Sequence, residues 1–170
     1  NPESDWFVIQ QILSNPCLTY LNLNKNNMGQ LSDIFAKLLR SKRFEDLKYF
    51  DISVNNLDDI YLKNILHELP NSMPSLSNLN LDYNYFIKET MCSIVDLLQK
   101  MSTLQSLSLS HNQIRERIDY SILANYLKTN TNLMDLNLNC NDLGPEGFRA
   151  FAGTLEANST LTELSLSNNN

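Results

Sequence analysis

The segment DLNLNCNDLGPE, residues 135–146, spaces oxygen-bearing side chains much as a calcium loop does. Asp135, Asn137 and Asn139 alternate and Glu146 stands at the twelfth position, close to the pattern D-x-[DN]-x-[DN]-G-x5-E whose oxygens close on a hard cation. Two features argue against that chemistry. The sixth position, which needs glycine for a sharp turn, is Cys140. Leu136 and Leu138 alternate with the polar residues, which is the period of a half-buried strand and not of a loop between helices.

Nucleophilic and acid–base chemistry has few candidates. The two histidines are His67, beside Glu68, and His111, and neither falls in a G-x-S-x-G, P-loop or H-E-x-x-H motif. Cys17, Cys92 and Cys140 are odd in number and contain no C-x2-C pair, so no disulfide framework is expected and a reducing compartment suits them. Cys17 and Cys92 are expected as small core residues. Asn158-Ser159-Thr160 matches a glycosylation acceptor, but the cysteine usage and composition point to the cytoplasm. No catalytic residue, metal or cofactor is expected.

The elements that position these residues come from a repeat. The chain of 170 residues is expected to form one domain over 1–170, with an ordinary 42% of hydrophobic residues. The net charge of −6, with no basic stripe, argues against nucleic acid. No run of about 18 apolar residues exists to insert in a membrane. The absence of an initial methionine or signal peptide leads to the expectation of a segment of a longer chain. Six segments, LTYLNLNKNNM, LKYFDISVNNL, LSNLNLDYNYF, LQSLSLSHNQI, LMDLNLNCNDL and LTELSLSNNN, begin at Leu18, Leu47, Leu76, Leu104, Leu133 and Leu161, at spacings of 28 or 29 residues. The shared pattern is L-x-x-L-x-L-x-x-N-x-L, with Phe50 and Ile52 as replacements.

Alternating apolar residues such as Leu79 and Leu81 point inward from a short strand while their neighbours point out. The stripes Leu31, Ile34, Phe35, Leu38, Leu39, then Met91, Ile94, Val95, Leu98, then Phe148, Phe151, Ala152, Leu155 follow helical spacing, and Pro145 suits a first helical turn. DWFVIQQILSN, at the start, reads as the helix of a preceding repeat or a cap. This skeleton resembles the leucine-rich repeat, and its period with a full helix resembles the ribonuclease-inhibitor subclass. The resemblance implies a right-handed α/β solenoid, a curved horseshoe with a parallel concave β-sheet and convex α-helices. It also implies a continuous ladder of Asn26, Asn55, Asn84, Asn112, Asn141 and Asn169. Strands stack about 4.8 Å apart and helices roughly 8–10 Å, so each repeat is expected to turn on the order of 20–30° with the strands inside.

The concave face is then legible. Its aromatic residues, Tyr20, Tyr49 and Tyr83, gather toward the N-terminal half, with Asp51 and Asp82 among them and His111 and Asp135 further along. Tyrosine couples a large apolar body to a hydroxyl and is enriched at interfaces. A Cys140–His111 contact between neighbouring repeats is geometrically conceivable, but their spacing is a consequence of the repeat. The expected function is a non-catalytic protein–protein interaction module or scaffold. The expected partner is another protein, bound through Tyr20, Tyr49, Asp51, Asp82, Tyr83, His111 and Asp135, and membership of a large complex is a further expectation. Two alternatives stand beside it, the first from the resemblance and the second from the absence of a polar cap after the last repeat. One is a GTPase activator similar to the Ran-activating proteins. The other is an architectural subunit of a ciliary or cytoskeletal assembly.

Overall fold

A computed structural model describes residues 14–15, 17–30, 32–41, 44–85, 88–112 and 120–170. Strand and helix alternate through β1 (Tyr20–Asn22), α1 (Ser32–Ser41), β2 (Tyr49–Asp51), α2 (Asp59–Ser72), β3 (Asn78–Asn80) and α3 (Lys88–Lys100). They continue through β4 (Ser106–Ser108), α4 (Ser121–Leu127), β5 (Asp135–Asn137), α5 (Gly144–Leu155) and β6 (Glu163–Ser165), with a 3-10 turn at Met28–Gln30. The strands form one six-stranded sheet in chain order, every pair parallel. The expected α/β solenoid is the observed architecture. The proposed helix in the first dozen residues, and Leu31, lie outside the described residues.

Each strand is only three residues long because one apolar residue is all that the sheet buries there. Leu21, Phe50, Leu79, Leu107 and Leu136 are buried, and their flanking neighbours are held on the opposite face. Before them Leu47, Leu76, Leu104 and Leu133, and after them Ile52, Leu81, Leu109 and Leu138, are 0% exposed and add two further apolar columns. Packed helices close the core from the other side, through Phe35, Leu38, Leu62, Ile65, Leu66, Met91, Ile94, Leu123, Leu127 and Phe151 among others.

Three departures from the expected core have simple geometric reasons. Cys17 and Cys92 are exposed. Cys17 belongs to the turn before β1, and Cys92 is one residue off the Met91–Ile94–Leu98 stripe, about 100° around the helix. On α5 the buried positions are Gly147, Phe151 and Thr154, whereas Phe148, Ala152 and Leu155 are exposed. Thr154 turns inward to donate its hydroxyl to the Ala124 carbonyl of α4 at 2.8 Å, and Gly147 lies where a Cβ would meet Leu143 at 2.9 Å.

The ladder asparagines hold consecutive repeats together. Asn55 Oδ1 accepts from the backbone of Asn26 and Met28, Asn84 Oδ1 from Asn55 and Leu57, and Asn169 Oδ1 from Asn141 and Leu143. Asn112 and Asn141 accept from Asn84 and Asn112 in the same way. The amide nitrogen of each points back, as in Asn112 Nδ2 donating to Leu81 and Leu109 carbonyls at 3.2 and 2.8 Å. Asn55 through Asn169 are buried, while Asn26 is exposed. A second device went unread in the sequence. Asn130 and Asn158, at the helix-to-strand connections, each accept from two backbone N–H groups. Asn158 Nδ2 also donates to the Leu127 and Asn130 carbonyls, so the carboxamide of the apparent glycosylation motif is bound into the fold.

Just beyond each strand the chain turns with a left-handed residue: Lys25, Val54, Tyr83, His111, Cys140 and Asn168, at φ between 54° and 57°. Val54 is out of place there, since a β-branched side chain is strained at positive φ. Two outcomes follow. Asn112→Ala should cost roughly 3 kcal/mol or more in urea unfolding, because it strands several buried backbone groups, whereas Asn26→Ala at the exposed rung should cost under about 1 kcal/mol. Val54→Asn should raise stability by about 1 kcal/mol, read as a higher melting temperature, and a lower one would show that the valine side chain contributes more than its backbone strain costs.

Candidate functional site

Because the sheet is parallel and in register, residues one repeat apart stand side by side. Tyr20 pairs with Tyr49 across β1 and β2, and their rings stack with centroids 4.3 Å apart and planes within 5°. Tyr83 and His111 occupy the same left-handed turn position in successive repeats and stack at 4.1 Å and 8°. Tyr20 and Tyr83 remain 54% and 51% exposed, so each stack presents a bare aromatic face. One stack lies at the start of β1 and β2, the other at the turns beyond β3 and β4.

The acidic residues Asp51 and Asp82 are held by the fold to different degrees. Asp51 was expected on the open face, yet it is only 4% exposed. Its Oδ1 accepts from the Ser53 backbone at 2.9 Å, and the Tyr49 hydroxyl donates to its Oδ2 at 3.5 Å. The aromatic stack therefore leaves it little room for direct contact with a partner. Burial, then the Asp51 charge and Tyr20, push the Tyr49 phenol above its ordinary pKa. Asp82 is half-buried, and its Oδ1 accepts from the Ser108 hydroxyl and the Ser110 backbone, both at 2.6 Å. Burial raises its carboxyl above the ordinary aspartate value and the Asp51 charge adds to this, outweighing the Ser108 and Ser110 hydrogen bonds and His111.

Asp135 is separated from this group. It lies on β5, where the Ser106 hydroxyl donates to its Oδ2 at 2.7 Å. Asn137 and Asn139 of the calcium-like segment are also occupied with the repeat: Asn137 Oδ1 accepts from the Asn139 backbone and Asn139 Oδ1 from that of Ser167. Among the described residues no three His, Cys, Asp or Glu side chains are grouped to hold a metal. Cys140 and His111 face different neighbours, His111 stacking on Tyr83 while Asn168 Nδ2 approaches Cys140 Sγ at 3.6 Å.

His67 belongs to a different place. With Arg40 it meets Glu68 on the helical side, at 3.3 and 2.7 Å, joining α1 to α2. Burial raises the Glu68 carboxyl, but the hydrogen bonds and charges of Arg40 and His67 more than offset this and leave it below the ordinary value. The Tyr83–His111 stack and the Ser108 and Ser110 donors to Asp82 were missed in the sequence. They become visible once residues 26 to 29 positions apart are read as neighbours.

A family model described as "Leucine Rich repeat" matches residues 14–30, 100–115, 129–152 and 157–170. No curated protein matches the chain. Among solved structures, leiomodin-1 actin-binding site 2 is similar, with a TM-score of 0.64 and 22% identity over 84% of this chain and 83% of that one. The tropomodulin C-terminal domain of Caenorhabditis elegans is similar at a TM-score of 0.64 and 17% identity, covering 92% of each chain. At such identities the likeness is one of fold. With the matched repeats and the continuous asparagine ladder, it shows that this chain has the leucine-rich-repeat fold.

Proposed function

We propose that the chain is a non-catalytic protein-interaction module that recognises another protein through the strand face. The observation that carries this reading is the pair of aromatic stacks, Tyr20–Tyr49 and Tyr83–His111, left open on the face opposite the helices. Exposed tyrosines have conformational freedom at only two torsions, so ordering them on binding costs little while large apolar area is covered. Stacking on a neighbour restrains them further before any partner arrives. The ladder below is held by buried hydrogen bonds, which makes the face a rigid template that need not reorganise.

A second reading places the module in a cytoskeletal assembly in the cytoplasm. The likeness to leiomodin-1 actin-binding site 2 and to the tropomodulin domain favours it at the level of fold. The GTPase-activating alternative has no observation of its own beyond the shared repeat. Among the described residues no helix is long and apolar enough to cross a membrane.

Changing Tyr20, Tyr49 and Tyr83 singly to alanine should identify at least one position that costs about 2 kcal/mol of binding to a native partner, a roughly 30-fold loss of affinity in titration calorimetry. Losses of only a few tenths of a kcal/mol at all three would move recognition to the helices or the ends. For the cytoskeletal reading, the protein should sediment with filamentous actin at micromolar concentrations. Remaining in the supernatant across that range would remove filament binding from its functions.

A further inference from the structure

The strand face carries negative charge that the fold does not require. In the second strand-side column a side-chain oxygen accepts from the backbone N–H two residues on: Asn22 from Asn24, Asp51 from Ser53, Asn80 from Asp82 and Asn137 from Asn139, at 2.9, 2.9, 3.0 and 3.1 Å. Where that column holds serine, the preceding repeat supplies the oxygen from its third column. Asp82 accepts from Ser110, and Asn139 accepts from Ser167, both at 2.6 Å. Asparagine therefore performs both tasks elsewhere in the same sheet. The geometry needs an acceptor at positions 51 and 82; it does not need a carboxylate at either.

Charge at position 82 is unfavourable to the free protein. Asp51 is buried, and Asp82 is raised in pKa by burial and by Asp51. The ion pairs among the described residues, Arg40–Glu68, His67–Glu68 and Lys100–Asp96, involve neither. The strand-side positions and the turn residue beyond them hold the acids Asp51, Asp82, Asp135 and Glu163 against the single lysine or arginine Lys25. Such a face complements a cation.

Resting on the reading of the strand face as the recognition surface, we propose that it binds an arginine-bearing segment of another protein, with the guanidinium set against the Asp82 carboxylate and the exposed ring of Tyr83. Arginine suits the site better than lysine because its planar group pairs with a carboxylate and stacks on an aromatic face at once. Asp51, buried and accepting from the Tyr49 hydroxyl, adds field without direct contact.

The test begins with a random peptide library selected on the immobilised protein. Arginine should be enriched in the retained peptides. A synthetic copy of one should lose about tenfold in affinity when its arginine becomes citrulline, when the protein carries Asp82→Asn, and when it carries Tyr83→Ala. Asp82→Asn keeps the acceptor oxygen, as Asn139 shows, and so should fold. The raised Asp82 pKa means that wild-type stability falls as pH rises from the ordinary aspartate value through the folded one. The Asp82→Asn protein should therefore melt no lower than wild type at neutral pH, with the difference closing in acid. A lower melting temperature would make the charge structural and overturn the proposal. Peptides without arginine that still depend on Tyr83 would overturn it while leaving the strand face as the recognition surface. Arginine-rich peptides indifferent to both variants would overturn both readings, and a selection that retains nothing overturns the arginine site.

Discussion

The structure depends on the buried asparagine at each turn. As the chain leaves a three-residue strand, its backbone groups pass out of the sheet but not into water. The carboxamide of the next repeat accepts from two of those N–H groups in several cases, and its own N–H2 group returns to carbonyls of both repeats. An apolar residue of equal size would fill the space but leave buried polar groups unpaired, at a cost of about 1–3 kcal/mol each. This requirement recurs every 28 or 29 residues and keeps successive repeats in register.

Register then determines what the surface can be. Every strand-side residue is flanked by its equivalents one repeat before and one repeat after, at the strand spacing. Two aromatic residues in one column must stack, as Tyr20 and Tyr49 do, and as Tyr83 and His111 do at the turn. Two acids in nearby columns must feel one another, as Asp51 and Asp82 do. A solenoid of this kind thus turns a linear list of variable residues into a two-dimensional pattern without any long-range chain crossing. The same rule shows why the calcium-like segment is not a loop: Asp135, Asn137 and Asn139 are one row of that pattern, each accepting a hydrogen bond within the sheet or its turns, and Glu146 belongs to α5.

The acceptor positions also separate structure from surface chemistry. At 22, 80 and 137 the oxygen belongs to asparagine, at 51 to aspartate, and the backbone cannot distinguish them. At 82, an aspartate in the acceptor role that asparagine fills at 139 sacrifices some stability to burial of charge. Val54 makes a similar concession in backbone strain within the same turn column as Tyr83. Both features stand on the N-terminal half of the face, beside the aromatic stacks.

The periodicity of leucine and asparagine was sufficient for the parallel sheet, the helices behind it, the ladder and the membership of Tyr20, Tyr49, Tyr83 and His111 in one face. Those properties repeat, and a repeat is visible in one dimension. The sequence did not reveal that Asp51 is covered, or that Cys17, Cys92, Phe148 and Leu155 are exposed. Nor did it disclose that Asn130 and Asn158 tie helix ends to the next strand. Each of these depends on a rotation of one residue around a helix or on the bulk of a neighbour's side chain one repeat away. Spacing along the chain records which residues can meet; only packing in three dimensions decides which atoms are left facing water.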